Sequence, residues 1–379
     1  MSFRIPLSAP DIGDAEIAAV TAVLRTPHLS LGPELPAFEA AMAAYHSVPD
    51  AVAVSSGTAG LHLALLTLGV GAGEEVIVPS FAFAAVASTV LQVGAVPVFA
   101  EIDPITLNLD PASVEAAITL RSRAIVAVHT FGVPAEMDAL NSICRRHGLA
   151  LIEDACEAIG AQFGDPSSAR RAGSFGDLAV LGFYPNKQMT TGEGGAVLCS
   201  DPAHAARLRS LRNQGRSPGG GWLDHAEPGY NYRLSELACA LGRVQLSRID
   251  EMLALRRAAA YRYDAMLDRI PGLERPPLTL PRRIVSWFVY VVRLPESVDR
   301  ERVQACLALD GIASGHYFAP IHLQPAWRSH PSAGAASARL TLTESIARRT
   351  LALPFFNRIS ACQQEDVAAS LKKAVLAAI

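Results

Sequence analysis

Short apolar runs alternating with helical patterns organise the first two hundred residues. The runs are Val52 to Val54, Val76 to Val78, Val96 to Phe99, Ala124 to Val128, Ala150 to Ile152, Ala179 to Leu181 and Ala196 to Leu198. Each is too short for a helix and apolar throughout, as a strand buried on both faces is. The alternation predicts an α/β fold: a mostly parallel sheet covered by helices on both sides. Sheets of this kind bind ligands beyond the carboxyl ends of their strands. Ahead of them, residues 14–25 read as an amphipathic helix, with Asp14 as its cap and Ile17, Val20 and Leu24 on one face. After residue 200 helices dominate, first Ala203 to Arg212 and then Ser235 to Arg269. Pro271, Pro276, Pro277 and Pro281 mark a connection. A strand (Trp287 to Leu294), a helix (Asp299 to Asp310) and a closing helix (Gln363 to Ile379) follow. The expected organisation is an N-terminal arm (1–25), a large domain (26–250) and a smaller C-terminal α+β domain (251–379). The Gly219-Gly220-Gly221 turn after Ser217-Pro218 is the best candidate for a mobile loop.

One stretch could be misread. Val76 to Ala100 is a 25-residue run without a charge, long enough to span a bilayer. Pro79, Gln92, Gly94 and Pro97 interrupt it, and it parses as strand, helix (Ala84 to Val93) and strand in a buried core. The N-terminus lacks the basic-then-apolar layout of a signal peptide. Half of the 379 residues are hydrophobic, enough for a large core. A formal charge of −3 gives no reason to expect a nucleic-acid or acidic-membrane partner. The six cysteines show no CxxC spacing, which suits reduced thiols in a cytoplasm.

Chemistry concentrates around Gly182-Phe183-Tyr184-Pro185-Asn186-Lys187, continued by Thr190-Thr191-Gly192-Glu193-Gly194-Gly195. A lysine where two core strands meet a glycine-rich loop is partly desolvated, which favours the neutral amine that attacks a carbonyl. That suggests a Schiff-base lysine at Lys187; taken alone it would read as a solvated loop residue, and what reverses this lies upstream. Upstream, Ser56-Gly57-Thr58-Ala59 follows a strand and opens a helix whose Leu61, Ala64, Leu65 and Leu68 share a face. Free N–H groups and hydroxyls there suit a phosphate, although the same residues also make an ordinary N-cap. No Walker lysine and no GxGxxG accompany them. Asp154 ends a strand, so it either reaches the ligand edge or caps a helix. Facing a pyridine nitrogen, it would keep that nitrogen protonated and the ring an electron sink. Phe83, just past a strand end, could lie flat on a ring or belong to the core. His316 and His322, with Pro320 between them and no third ligand near, make a poor metal pair. No metal is expected.

Phosphate cradle, aromatic, aspartate and lysine follow the order found in pyridoxal-phosphate enzymes of the aspartate-aminotransferase fold. The chain resembles the DegT/DnrJ/EryC1/StrS aminotransferases, which aminate nucleotide-linked keto-sugars. The resemblance runs almost end to end. It rests on Leu29 to Pro33, Ser55 to Leu65, Gly94 to Phe99, Phe131-Gly132, Glu153 to Ala161, Lys187 with Thr190 to Gly195, Gly229 to Leu237, His316-Tyr317 and Pro320 to His322. It implies fold type I, pyridoxal 5′-phosphate carried on Lys187, and Asp154 paired with the pyridine nitrogen. Phe83 takes the stacking position, and Thr58 with the neighbouring amides of Gly57 and Ala59 holds the phosphate. Asn231 matches a residue that reaches the cofactor phosphate of the other subunit, which implies a homodimer with shared sites. His316 and Tyr317 are expected near the sugar. Two positions depart from the common pattern. Gly182 stands where many members have Ser, and Glu157 where Gln or His is frequent. Glu157 could bond the cofactor's phenolic oxygen if protonated or bridged by water. The implied reaction moves an amino group from glutamate or glutamine to a 4-keto or 3-keto deoxysugar. A ketocyclitol, an aromatic precursor, a sugar dehydratase and a regulator without turnover are the alternatives. Lys187 weighs against a dehydratase, since that branch typically carries histidine there.

Overall fold

The computed structural model describes residues 3–217, 219, 221, 223–330 and 339–378. Pro218 and Gly220 of the glycine-rich turn lie outside the described residues, as does Ile379. All seven apolar runs are strands of one sheet: β1 (Asp50–Val54), β2 (Glu75–Pro79), β3 (Val96–Ala100), β4 (Ser122–Val128), β5 (Ala150–Asp154), β6 (Leu178–Gly182) and β7 (Gly195–Cys199). Their order is β1-β7-β6-β5-β4-β2-β3. From β6 to β3 every pairing is parallel. Only β7 runs against its neighbours, returning between β6 and β1.

Because successive strand residues face opposite ways, each strand feeds two cores. Val52, Val54, Val180 and Val197 meet Leu61, Ala64 and Leu65 of α2 (Gly57–Thr67). Ala51, Ala53, Leu181 and Leu198 meet Phe38 and Met42 on the other side. The uncharged run is β2, then α3 (Ala85–Gln92), then β3. Among the described residues no helix is long and apolar enough to cross a membrane.

Helix α1 (Asp14–Leu24) forms, but turned the other way from the expected face. Ile17 and Leu24 are each 59% exposed, while Glu16 and Val23 are buried. Its cap is Gly13, whose N–H donates to Glu16 Oε2 at 2.8 Å, and Asp14 is merely the first helical residue. Gln245 Nε2 (2.9 Å) and Arg248 Nη1 (2.7 Å) also donate to Glu16. A carboxylate met by three donors can be buried at little cost, so the polar contact and not the apolar stripe orients the helix.

Helix α4 (Pro202–Arg212) is capped by Asp201 as a Pro-initiated helix should be. The helix expected over 235–269 is two, α5 (Glu236–Ser247) and α6 (Ile249–Leu267). They break at Arg248, which leaves helical geometry (φ −105, ψ 4) and turns its guanidinium to Glu16 and Asp11. A second core gathers β8 (Tyr290–Arg293), α7 (Arg300–Leu309), β9 (Thr350–Leu353) and α8 (Ala361–Leu376), with β8 and β9 antiparallel. Tyr290, Val303, Leu307, Leu351 and Leu371 form its centre, together with Ile5. Strand β8 is shorter than expected because Trp287 takes a left-handed turn (φ +53) ahead of it. Helix α6 begins among the sheet's core residues at Ile249 and ends in the second core at Tyr263 and Leu267. It thus carries side chains from one core into the other.

Candidate active site

The last two residues of β5 are both acidic, and strand alternation sends them in opposite directions. Glu153 is fully buried behind the sheet. It accepts from His129 Nε2 (2.9 Å) and from the N–H groups of Gly173, Phe175 and Gly176 at 2.6–2.7 Å. Ala135 N–H donates to His129 Nδ1, so the imidazole proton sits on Nε2, toward Glu153. Burial would raise the Glu153 carboxyl, but these donors outweigh it and hold the pKa low. Glu153 is thereby committed to structure. Asp154 emerges on the face of α2, in register with Val180 and Val128. It lines a cavity of about 490 Å³ at the carboxyl end of the sheet.

Helix α2 starts at the same cavity. Ser56 caps it through Oγ, which accepts from Ala59 N–H at 3.0 Å, while Gly57 and Thr58 line the opening. The start of β7 presses on this cap. A Cβ at Gly195 would stand 2.7 Å from the carbonyl of Ser56, so only glycine permits the approach. On the cavity floor Gly182 serves the same closeness: a Cβ there would meet Cys156 Sγ at 3.2 Å.

Between the antiparallel β6 and β7 the chain makes a tight excursion that presents Lys187. Phe183 N–H donates to Gly194 O, Thr191 N–H to Phe183 O, and Lys187 N–H to Tyr184 O. The lysine side chain is 15% exposed. Its Nζ lies 3.5 Å from Glu157 Oε1 and 4.0 Å from the centre of the Phe288 ring. Both neighbours attract a cation, so the surroundings are richer than the apolar setting expected for a neutral amine. Glu157 is also held by Phe131 N–H at 2.9 Å. Burial raises its carboxyl, and the Lys187 ammonium offsets part of the rise. Burial, reinforced by the Asp154 charge, keeps Cys156 a thiol.

The profile of the DegT/DnrJ/EryC1/StrS aminotransferase family matches residues 10–372. The chain belongs to this family. Similar proteins include a GDP-perosamine synthase of Caulobacter vibrioides, 38% identical with 98% of this chain and 99% of that one covered. A dTDP-3-amino-3,4,6-trideoxy-α-D-glucose transaminase of Streptomyces venezuelae is 41% identical, covering 89% of this chain and 86% of its own. Among solved structures, the PLP form of a putative sugar aminotransferase of Streptococcus pneumoniae superposes with a TM-score of 0.91. It is 26% identical, and 99% of each chain is covered.

As a member of the DegT/DnrJ/EryC1/StrS family, the protein is an aminotransferase and its cofactor is pyridoxal 5′-phosphate. The residues present fit that group. An 11-residue helix opens its N-terminus into the cavity for an anion, a carboxylate ends β5, and one amine stands between them. The structure brings Gly57, Thr58, Phe83, Asp154, Glu157, Lys187 and Tyr317 to this one cavity. Phe83 is 67% exposed there, open to a ring. Three expected residues stand elsewhere. Ala59 is buried and its N–H is taken by the cap. Asn231 is exposed and pairs with the backbone of Asn213 outside the cavity. His316 also faces away, with Nε2 against Gln304 and 3.2 Å from Glu301. Its neighbour Tyr317 lines the cavity instead. His322 is buried against Ser80 Oγ (2.6 Å) and Glu344 (3.4 Å). Phe288, read only as strand, lines the cavity without a sequence signal; Asn186, in the Lys187 stretch but given no role there, donates its amide to Tyr317 OH at 3.4 Å.

Proposed function

We propose that this aminotransferase transfers an amino group from glutamate or glutamine to a nucleotide-linked keto-sugar. The convergence of the α2 N-terminus, Asp154 and Lys187 in one open cavity carries the reading. The names of two relatives, each built on a nucleotide-linked sugar, support the acceptor class. When bound, the cofactor supplies an electron sink for the carbanion at the reacting carbon. The chain's own residues do the rest. The α2 amides and Thr58 hold the phosphate, and Asp154 keeps a proton on the ring nitrogen. Phe83 covers the ring. Lys187 would move the proton at the reacting carbon as base and then acid. Glu157, its carboxyl raised by burial, can hold a proton beside Lys187. The six free cysteines suit a reducing cytoplasm.

The test is a half-reaction in two steps. Glutamate is expected to bleach the enzyme-bound chromophore, and a 4-keto or 3-keto deoxysugar nucleotide should restore it with release of the amino-sugar nucleotide, read by mass. Restoration by a ketocyclitol or aromatic precursor alone would overturn the acceptor class.

The working unit we propose is a homodimer in which Asn231 serves the neighbour's site. Its position outside its own cavity supports this, as do the outward Ile12, Ile17, Leu24, Leu29 and Leu31, which leave an apolar surface for a second copy. Co-refolding the inactive variants Lys187→Ala and Asn231→Ala tests it. With contacts in trans, each mixed dimer holds one intact site, so about a quarter of all sites recover activity. With Asn231 acting in its own chain, none do.

A further inference from the structure

We infer that Arg256 is a positioning residue for Lys187, anchored in turn by Asp11 of the N-terminal segment. Arg256 lies on α6, 1% exposed. Its Nη2 donates to the carbonyl of Lys187 itself (3.1 Å). Its Nη1 donates to the carbonyls of Phe288 (2.8 Å) and Trp287 (3.3 Å), and its Nε to Asn357 Oδ1 (2.6 Å). The guanidinium therefore fixes the backbone of the lysine and the backbone of the aromatic ring on which the lysine's Nζ rests. A planar fork of five donors can meet carbonyls from separate segments at once. A lysine ammonium, a compact point charge, cannot hold the same set in one geometry.

Among the described residues no carboxylate pairs directly with this buried cation. Burial drives its pKa down to about 9, and the charge that opposes the shift is Asp11. Asp11 is 7% exposed and receives Asn357 Nδ2 at 3.4 Å, so the amide relays between acid and guanidinium. A second bridge leads from the same residue to the same loop. Gln245 Nε2 donates to Asp11 O (2.9 Å), and Gln245 Oε1 accepts from Thr190 N–H (3.1 Å). Both ends of the segment from Lys187 to Thr190 are thus tied to Asp11, one through Arg256 and one through Gln245. The bland alternative is that these bonds only join the two cores.

The experiment uses the full-length holoenzyme and rests on Lys187 carrying the cofactor. Borohydride labelling of the wild type at Lys187 checks that first and separately. Arg256→Lys and Asp11→Asn are then compared with wild type by thermal midpoint, by kcat and KM for glutamate, and by the pH midpoint of the bound cofactor's absorbance. A misplacement of about 1 Å in a catalytic group costs on the order of 100-fold. Arg256→Lys is therefore expected to lower kcat by at least about tenfold, with KM within about twofold, and to displace the absorbance midpoint. Asp11→Asn should move the same readouts the same way by less. A variant with a lower thermal midpoint but wild-type kcat and absorbance midpoint would reduce Arg256 to glue between the cores. Where Arg256→Lys fails to fold, Asp11→Asn decides by the same readouts.

Discussion

Lys187→Ala is expected to abolish transamination while the protein still takes up pyridoxal phosphate non-covalently. Alanine removes the amine but leaves the α2 N-terminus, Thr58, Phe83 and Asp154 lining the same cavity. Proton transfer by a placed side chain is worth about 10²–10⁴-fold on its own, and in the proposed mechanism the same group also carries the cofactor. Turnover should fall at least that far. The loss also strands Glu157: burial already raises its carboxyl, and the neighbouring ammonium is what holds the rise in check. The variant's Glu157 should therefore take up a proton more readily. Borohydride reduction of the wild type should fix the cofactor's mass on the peptide containing Lys187 and on no peptide of the variant. Labelling of a different lysine would end the assignment.

Asp154→Asn should keep the fold and much of the cofactor yet lose most of the rate. The amide is nearly isosteric, and its oxygen can still accept from Cys156 N–H as Asp154 Oδ1 does at 3.1 Å. It carries no charge, so a proton on the ring nitrogen loses its counter-ion and the ring its power as an electron sink. Removing one electrostatic contact of this kind costs roughly 3–4 kcal/mol of barrier, a fall in kcat on the order of 100-fold or more. Turnover near wild type in this variant would sink the role given to Asp154. Glu153 could not substitute, because four donors behind the sheet already hold it.

The sheet was legible because its evidence is local. Each of the seven runs is a few consecutive apolar residues, and each is a strand. The place of Asp154 and Lys187 at the cavity was legible for a related reason, since strand ends and the loop between strands point to the ligand edge. What stayed hidden depends on partners far along the chain. The face of α1 is decided by Gln245 and Arg248, more than 200 positions away. Arg256 reaches Lys187 across 69 positions and Asn357 across 101. In sequence it is one of three arginines in an ordinary helix. His316 and Tyr317 show a finer limit: adjacent residues in one motif, one against Glu301 and the other lining the cavity.

The crowding of Gly182 against Cys156 has a consequence for how such a cavity can change over generations. A serine at 182 would bring a hydroxyl to the phosphate end of the site, but its Cβ would stand 3.2–3.3 Å from the sulfur and Cβ of Cys156. The same sulfur would be 2.8 Å from a Cβ at Gly57. The order of substitutions therefore matters. Cys156→Ala opens the space first and Gly182→Ser can follow, whereas in the reverse order the Cys156 side chain must first give way by a few tenths of an ångström. The cysteine thus favours glycine on the floor of the site until it is itself replaced.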